Sequence, residues 1–267
     1  MGCYEILARA AQNGEVIDVL TLVACPEDAA GGRMLLLYQD GRQDGVLWRQ
    51  DFTEKAVAYI REQSWQGPKL LRLEHDTGGC GQIFWDRLLP ARKAIIFGAG
   101  HISRALAQML SLLDFELIVV DDRPEFATAA WFPAGTEIMC QDFAKATMQL
   151  AERIDAQTAV VLATRGHQHD LLCLQLLKGT TPAYMGMLGS RRRVAALFRQ
   201  LADEGVSEKW LARIQAPIGL DLGAQTPGEI ALSIAAEILG VLQKRNAQPL
   251  RLAQEVWHGR NAAEKHL

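Results

Sequence analysis

Residues 94–103 read Ala94-Ile95-Ile96-Phe97-Gly98-Ala99-Gly100-His101-Ile102-Ser103, and this stretch decides the fold. An unbroken apolar run suits a strand buried on both faces. Gly98 permits a tight turn. Gly100 lets a phosphate approach the backbone without meeting a Cβ. The free N–H groups and positive dipole end of the helix that follows favour an anion. Ser103 replaces the third glycine of the usual fingerprint and should still pack closely. Asp121 and Asp122 close the next strand-like run, roughly 20 residues after Gly98, where an acid binds ribose hydroxyls. The plainer reading is that the glycines only shape a turn and the two acids cap a loop.

Working outward, strands and helices alternate downstream. Strands are expected at 94–97, 117–120, 137–140, 159–163 and 183–188. Helices are expected at 102–113, 142–153, 171–177 and 190–205, and a long one at 227–244. Such alternation implies parallel strands joined by crossover helices, a Rossmann-like doubly wound sheet at 93–246 followed by a tail at 247–267. Upstream the pattern differs. A short helix at 3–12 stops at Asn13-Gly14, strands are expected at 15–23 and 34–38, and Asp40-Gly41 and Asp44-Gly45 are hairpin signals. A helix at 53–63 and strands at 69–74 and 83–85 follow, the last two joined by a Thr77-Gly78-Gly79-Cys80-Gly81 loop. Residues 1–88 therefore read as a small mixed α/β domain, with Leu89-Pro90-Ala91-Arg92 as linker.

Nearly half of the 267 residues are apolar and the formal net charge is -3. That balance offers no basic field to nucleic acid and no polybasic patch to a membrane. No apolar run reaches the roughly 18 residues of a membrane span. The amino terminus lacks the zones of a signal peptide, and Ile6 stands where a myristoylation motif wants Ser or Thr. Five scattered cysteines without a CxxC pair fit a reducing cytoplasm.

In a doubly wound sheet, ligand groups gather beyond the carboxyl ends of the strands. Thr164-Arg165-Gly166-His167-Gln168-His169-Asp170 falls there as a loop. Arg165 can grip a phosphate, and His167 can pass a proton. His167, His169 and Asp170 can also be read as metal ligands, and Asp170 as a helix cap. Gly189, Ser190 and Arg191 open another helix. Ser190 is a natural cap, and arginines at a positive helix end ask for an acidic ligand or partner. Further on, Thr226, Pro227 and Glu229 spell a capping box. Cys80, in its glycine loop, is a candidate thiolate.

The segments GAGHISRALAQ (98–108), VVDDRPEFA (119–127), ATRGHQHD (163–170), YMGMLGSRRR (184–193) and APIGLDLGAQTPGEIALSIAAEI (216–238) resemble, in order, the signatures of the XdhC/CoxI family. These are accessory proteins of xanthine dehydrogenase and related molybdenum hydroxylases. The resemblance covers residues 93–242. It implies a two-domain protein that binds the molybdenum cofactor (molybdopterin), protects it during sulfuration by a cysteine desulfurase, and assists insertion into the apo-hydroxylase. The phosphate of molybdopterin suits the glycine turn and Arg165 or Arg191. The amino-terminal part departs from the family: its glycine-rich, cysteine-bearing GGGC-E element is absent, whereas the segment around Cys80 survives.

The leading reading is thus a cofactor-binding maturation factor, uncertain as an enzyme, with His167 and Cys80 as catalytic candidates. Its cofactor-binding set is Gly98, Gly100, His101, Asp121, Asp122, Arg165, Gly166, His167, Gly189, Ser190 and Arg191, with no metal site. An NAD(P)-dependent oxidoreductase using His167, and a metal-dependent hydrolase using His101, His167, His169 and Asp170, are the alternatives. A homodimer is the commonest assembly for such a soluble protein.

Overall fold

The computed structural model of the chain describes residues 3–26, 31–65, 67–74 and 78–248. Thr77, Glu27, Asp28 and the tail from residue 249 lie outside them. The chain forms two compact units, which meet in sequence between Ala91 and Arg92.

The first unit contains α1 (Cys3–Gln12), β1 (Ile17–Ala24), β2 (Met34–Tyr38), β3 (Gln43–Gly45), α2 (Gln50–Glu62), β4 (Lys69–Glu74) and β5 (Cys80–Leu88). Its sheet runs β3-β2-β1-β5-β4 with every pair antiparallel. Alternation decides the faces. Leu20 and Leu22 of β1 and Ile83 and Trp85 of β5 join Phe52, Ala56 and Ile60 of α2 in one core. Asp18 is buried on β1 and accepts hydrogen bonds from Trp85 Nε1 at 2.7 Å and Arg87 Nε at 2.7 Å. A carboxylate that deep needs such partners.

Two expectations are corrected here. Asp44-Gly45 is no turn: Gly45 pairs with Leu35 inside the β2–β3 ladder, and the hairpin turns at Asp40-Gly41 alone. Nor does Cys80 sit in a loop. It opens β5 opposite Glu74, and Gly81 pairs with Leu73. Gly81 is there because the Phe52 ring lies so close that a Cβ would come within 2.4 Å of it.

The second unit contains β6 (Arg92–Phe97), α3 (His101–Leu112), β7 (Phe115–Asp121), β8 (Glu137–Cys140), α4 (Phe143–Ala151), β9 (Thr158–Leu162), α5 (His167–Leu176), β10 (Tyr184–Met187), α6 (Arg191–Asp203), α7 (Glu208–Leu211), β11 (Ile214–Gln215) and α8 (Pro227–Leu242). The sheet order is β11-β10-β9-β6-β7-β8, parallel throughout. It is a Rossmann-type doubly wound sheet. Ile95, Phe97, Val160 and Leu162 point to the layer of α4, α5 and α6, and Ala94, Ile96, Ala159 and Val161 to that of α3 and α8. All of β9 is buried, as a central parallel strand requires. The elements α7 and β11 are too short to leave a periodic signal.

The chain runs outward from β6 through β7 to β8 and returns to the other side of β6 as β9. The reversal of winding therefore falls between β6 and β9, the place where a sheet of this kind has its ligand crevice, at the carboxyl ends of the strands.

Candidate anion-binding crevice

The turn after β6 is built by its own backbone. Gly98 N–H donates to Val120 O at 2.7 Å, and Gly98 has φ +108°. A Cβ on it would lie 2.2 Å from Ala163 O, so only glycine fits. Gly100 differs: a Cβ there would meet nothing within 4 Å. Its open side is where a ligand can come up to the backbone. Ser103 is buried, as close packing of α3 on the sheet demands.

Three helices open onto this edge. Gly100 is the N-cap of α3 and Gly166 that of α5, and neither helix has a side-chain cap. Their first N–H groups have no partner within the helix. Of the three, only α6 is capped by a side chain, Ser190 Oγ accepting from Arg193 N–H. Arg191 and Arg192 are exposed in its first turn. Uncapped amides, dipole ends and guanidinium groups together make a positive field.

The two acids after β7 have separate fates. Asp121 is fully buried. Its Oδ2 accepts from Ala99 N–H at 2.8 Å and Arg123 Nη2 at 2.9 Å, and its Oδ1 from Arg123 Nε at 2.9 Å. Burial alone would raise its pKa. The Arg123 side chain and the Ala99 and Arg123 amides outweigh that and hold it below the usual carboxylate value. The acid in the ribose-binding position thus locks the glycine turn and has no face left for a ribose. Asp122 instead reaches across the crevice, with Oδ2 at 2.7 Å from Arg165 Nη2.

His167, His169 and Asp170 belong to the first turn of α5, which starts earlier than the expected 171. Hydrophobic periodicity could not show this, because the turn is polar outside and its one deep residue is an aspartate. Asp170 does not cap. It is buried and accepts from Thr164 Oγ1 and Arg193 Nη2. The His169 ring lies against Phe143, 5.0 Å between centroids. His101, His167, His169 and Asp170 form no group that could hold a metal ion, and no such group of three or more occurs among the described residues. Cys80 belongs to the first unit.

Sequence reading missed two further features. Arg104 stacks on the Trp131 ring, 3.1 Å from its centroid, and Arg123 on Phe126 at 3.7 Å. This cation–π cluster braces the segment after β7. On the far side, Glu237 of α8 accepts from Tyr184 Oη and, at 3.0 Å, from Gly219 N–H, and so fixes the apolar loop before α8. Glu229 makes the expected capping box with Thr226. Cavities of about 250 and 370 Å³ open at the amino ends of the strands and share no residue with the crevice.

A parallel sheet of this order with a glycine turn at its central strand defines a Rossmann-type domain. The family model of the XdhC Rossmann domain matches residues 94–238, more than half of the chain, and the chain belongs to that family. It is 38% identical over 173 residues to the uncharacterized protein YqeB of Escherichia coli, covering 64% of this chain and 31% of YqeB. It is 32% identical over 158 residues to a Bacillus subtilis protein named as a probable xanthine dehydrogenase subunit, covering 59% of this chain and 45% of that protein. It is 34% identical over 152 residues to the molybdenum cofactor insertion chaperone PaoD of Escherichia coli, covering 57% and 41%. The matched part therefore spans less than half of each relative. A crystal structure described as a xanthine dehydrogenase from Bacillus halodurans superposes with a TM-score of 0.67 at 23% identity, over 90% of this chain and 66% of the other. That likeness concerns the fold. No helix among the described residues is long and apolar enough to cross a membrane.

Proposed function

We propose that this chain is a cytoplasmic accessory protein that binds the molybdenum cofactor and assists its sulfuration and insertion into a xanthine dehydrogenase-type hydroxylase. Membership of the XdhC family and the names of two relatives support this role. One observation carries the ligand chemistry. The uncapped starts of α3 and α5, Arg165 and Arg191 all belong to the carboxyl edge of one parallel sheet, with Gly100 open above the turn. A phosphate ester fits such an edge. The amides at Gly100, His101, Gly166 and His167 would hold the phosphate of molybdopterin, with Arg165 and Arg191 balancing its charge. Sulfur delivery belongs to a cysteine desulfurase and turnover to the hydroxylase; in this reading the chain carries the cofactor and catalyses nothing. A homodimer fits the same role.

The test is to isolate the chain from cells that make the cofactor and identify bound pterin by mass spectrometry. Wild-type protein should carry pterin, and Gly100→Val and Arg165→Ala should carry several-fold less. Equal pterin content in all three would overturn the proposal.

A further inference from the structure

Arg165 and Asp122 stand on the loops that follow β9 and β7, the two neighbours of β6. Their ion pair therefore passes over the end of β6, where the glycine turn lies. The pair is partly exposed, 43% for Arg165 and 22% for Asp122, and a pair of this kind is weakly held. The carboxylate is only half satisfied. Oδ2 takes Arg165, but Oδ1 is buried and has no hydrogen-bond partner among the described residues. A buried acceptor without a donor is unusual and costly. Asp121, next to it, has no capacity to spare.

We propose that the Arg165–Asp122 pair is a selectivity gate, which admits a phosphate ester that also brings a hydrogen-bond donor pair and turns away a bare anion. The proposal rests on the reading that the turn holds a phosphate. An incoming phosphate competes with Asp122 for Arg165. A bare anion that wins leaves a second negative charge beside it, abandoned and desolvated. A ligand with two adjacent donors repays that loss, because Asp122 can give up Arg165 and accept from both. The hydroxyls of a ribose and the ring N–H and amino group of a pterin both have this chemistry. Asp122 thus acts as a specificity residue, and Oδ1, buried and unpartnered while Arg165 holds Oδ2, is the acceptor that a donor-bearing ligand would fill once the pair opens.

The experiment compares three probes that share a pyrophosphate group, free, as a diester and as a monoester: inorganic pyrophosphate, ADP-ribose and 6-hydroxymethylpterin pyrophosphate, titrated by calorimetry into the full chain. At least one donor-bearing probe should bind about tenfold or more tightly than inorganic pyrophosphate. In Asp122→Ala that preference should collapse, with inorganic pyrophosphate gaining roughly threefold or more. Asp122→Asn, isosteric with the native residue, should give the same gain and serves if the alanine variant fails to fold. Preference for ADP-ribose would point to a ribose as the donor source, and preference for the pterin to the pterin ring. Should pyrophosphate bind while the variants leave the preference unchanged, the gate falls and the phosphate reading stands. If no probe binds to wild type or variant, both fall.

Discussion

Asp170 and Arg193 join the first turns of two neighbouring helices: a carboxylate 1% exposed on α5 accepts from a guanidinium on α6, and Thr164 at the end of β9 donates to the same carboxylate. One buried acid thus ties three segments that border the crevice. Removing it leaves Arg193, whose Nε is already buried without a partner, with no counter-charge. Asp170→Ala should therefore destabilise the second unit by about 2–4 kcal/mol. Asp170→Asn, which keeps an acceptor for Thr164, should cost less. Urea unfolding of both variants checks the order, and equal loss in the two would show that the hydrogen bond to Thr164 contributes nothing.

Asp121 sets an acid limit on stability. Its folded pKa lies below the ordinary 3.8 because Arg123 and two amides outweigh the cost of burial. A depressed carboxylate contributes stability that is present above the unfolded pKa and is lost as pH falls through the folded one. Asp170 has the opposite sign: burial raises its pKa above 3.8 despite Thr164 and Arg193, so its contribution is present below 3.8 and is lost as pH rises through the higher folded pKa. Between pH 5 and 3, Asp121→Asn should flatten the loss of stability measured by urea midpoint, and Asp170→Asn should not. A wild-type slope retained in Asp121→Asn would contradict this account.

The two glycines of the turn should respond in opposite ways. Gly98→Ala must place a Cβ against Ala163 O at a φ of +108°, and should lose about 2–4 kcal/mol of stability. Gly100→Ala has free space around it, and should keep its unfolding midpoint within about 0.5 kcal/mol of wild type. It should nonetheless bind pyrophosphate more weakly, because the methyl occupies the ligand's approach. Calorimetry beside thermal melts separates the two effects, and an unaltered affinity in Gly100→Ala would move the anion elsewhere.

Cys173 should be silent to thiol reagents. Burial pushes its thiol up to about 11, against a smaller pull from the Thr147 hydroxyl, and the thiolate is the reactive form. Native protein treated with iodoacetamide at pH 8 should show label on Cys140, which is exposed, and none on Cys173 until denaturant is added. Peptide mapping by mass spectrometry reads the result, and early label on Cys173 would mean that α5 opens readily.

The sheet was legible in the sequence wherever one physical signal dominated. The apolar run before Gly98 appears where expected because burial on both sheet faces dictates its composition, and the edge strands at 137–140 and 69–74 appear there too. The capping box of Thr226 and Glu229 and the cap of Ser190 were equally plain, since each is local chemistry of a helix start. What escaped is non-local. Nothing in the order Asp121-Asp122-Arg123 says that the first acid turns inward to Ala99 while the second crosses to Arg165, because both partners come from other strands. The early start of α5 was hidden by its polar first turn, and the strand position of Cys80 by the glycines around it, of which Gly81 makes room for Phe52 rather than bending the chain.

The bare starts of α3 and α5 have one last consequence. Amide hydrogens that no side chain covers trade freely with solvent deuterium, while those deeper in the same helices are shielded. Occupancy of the crevice would slow that trade at the leading residues of both helices at once, so the protein carries its own gauge of loading, readable without any label on the cargo.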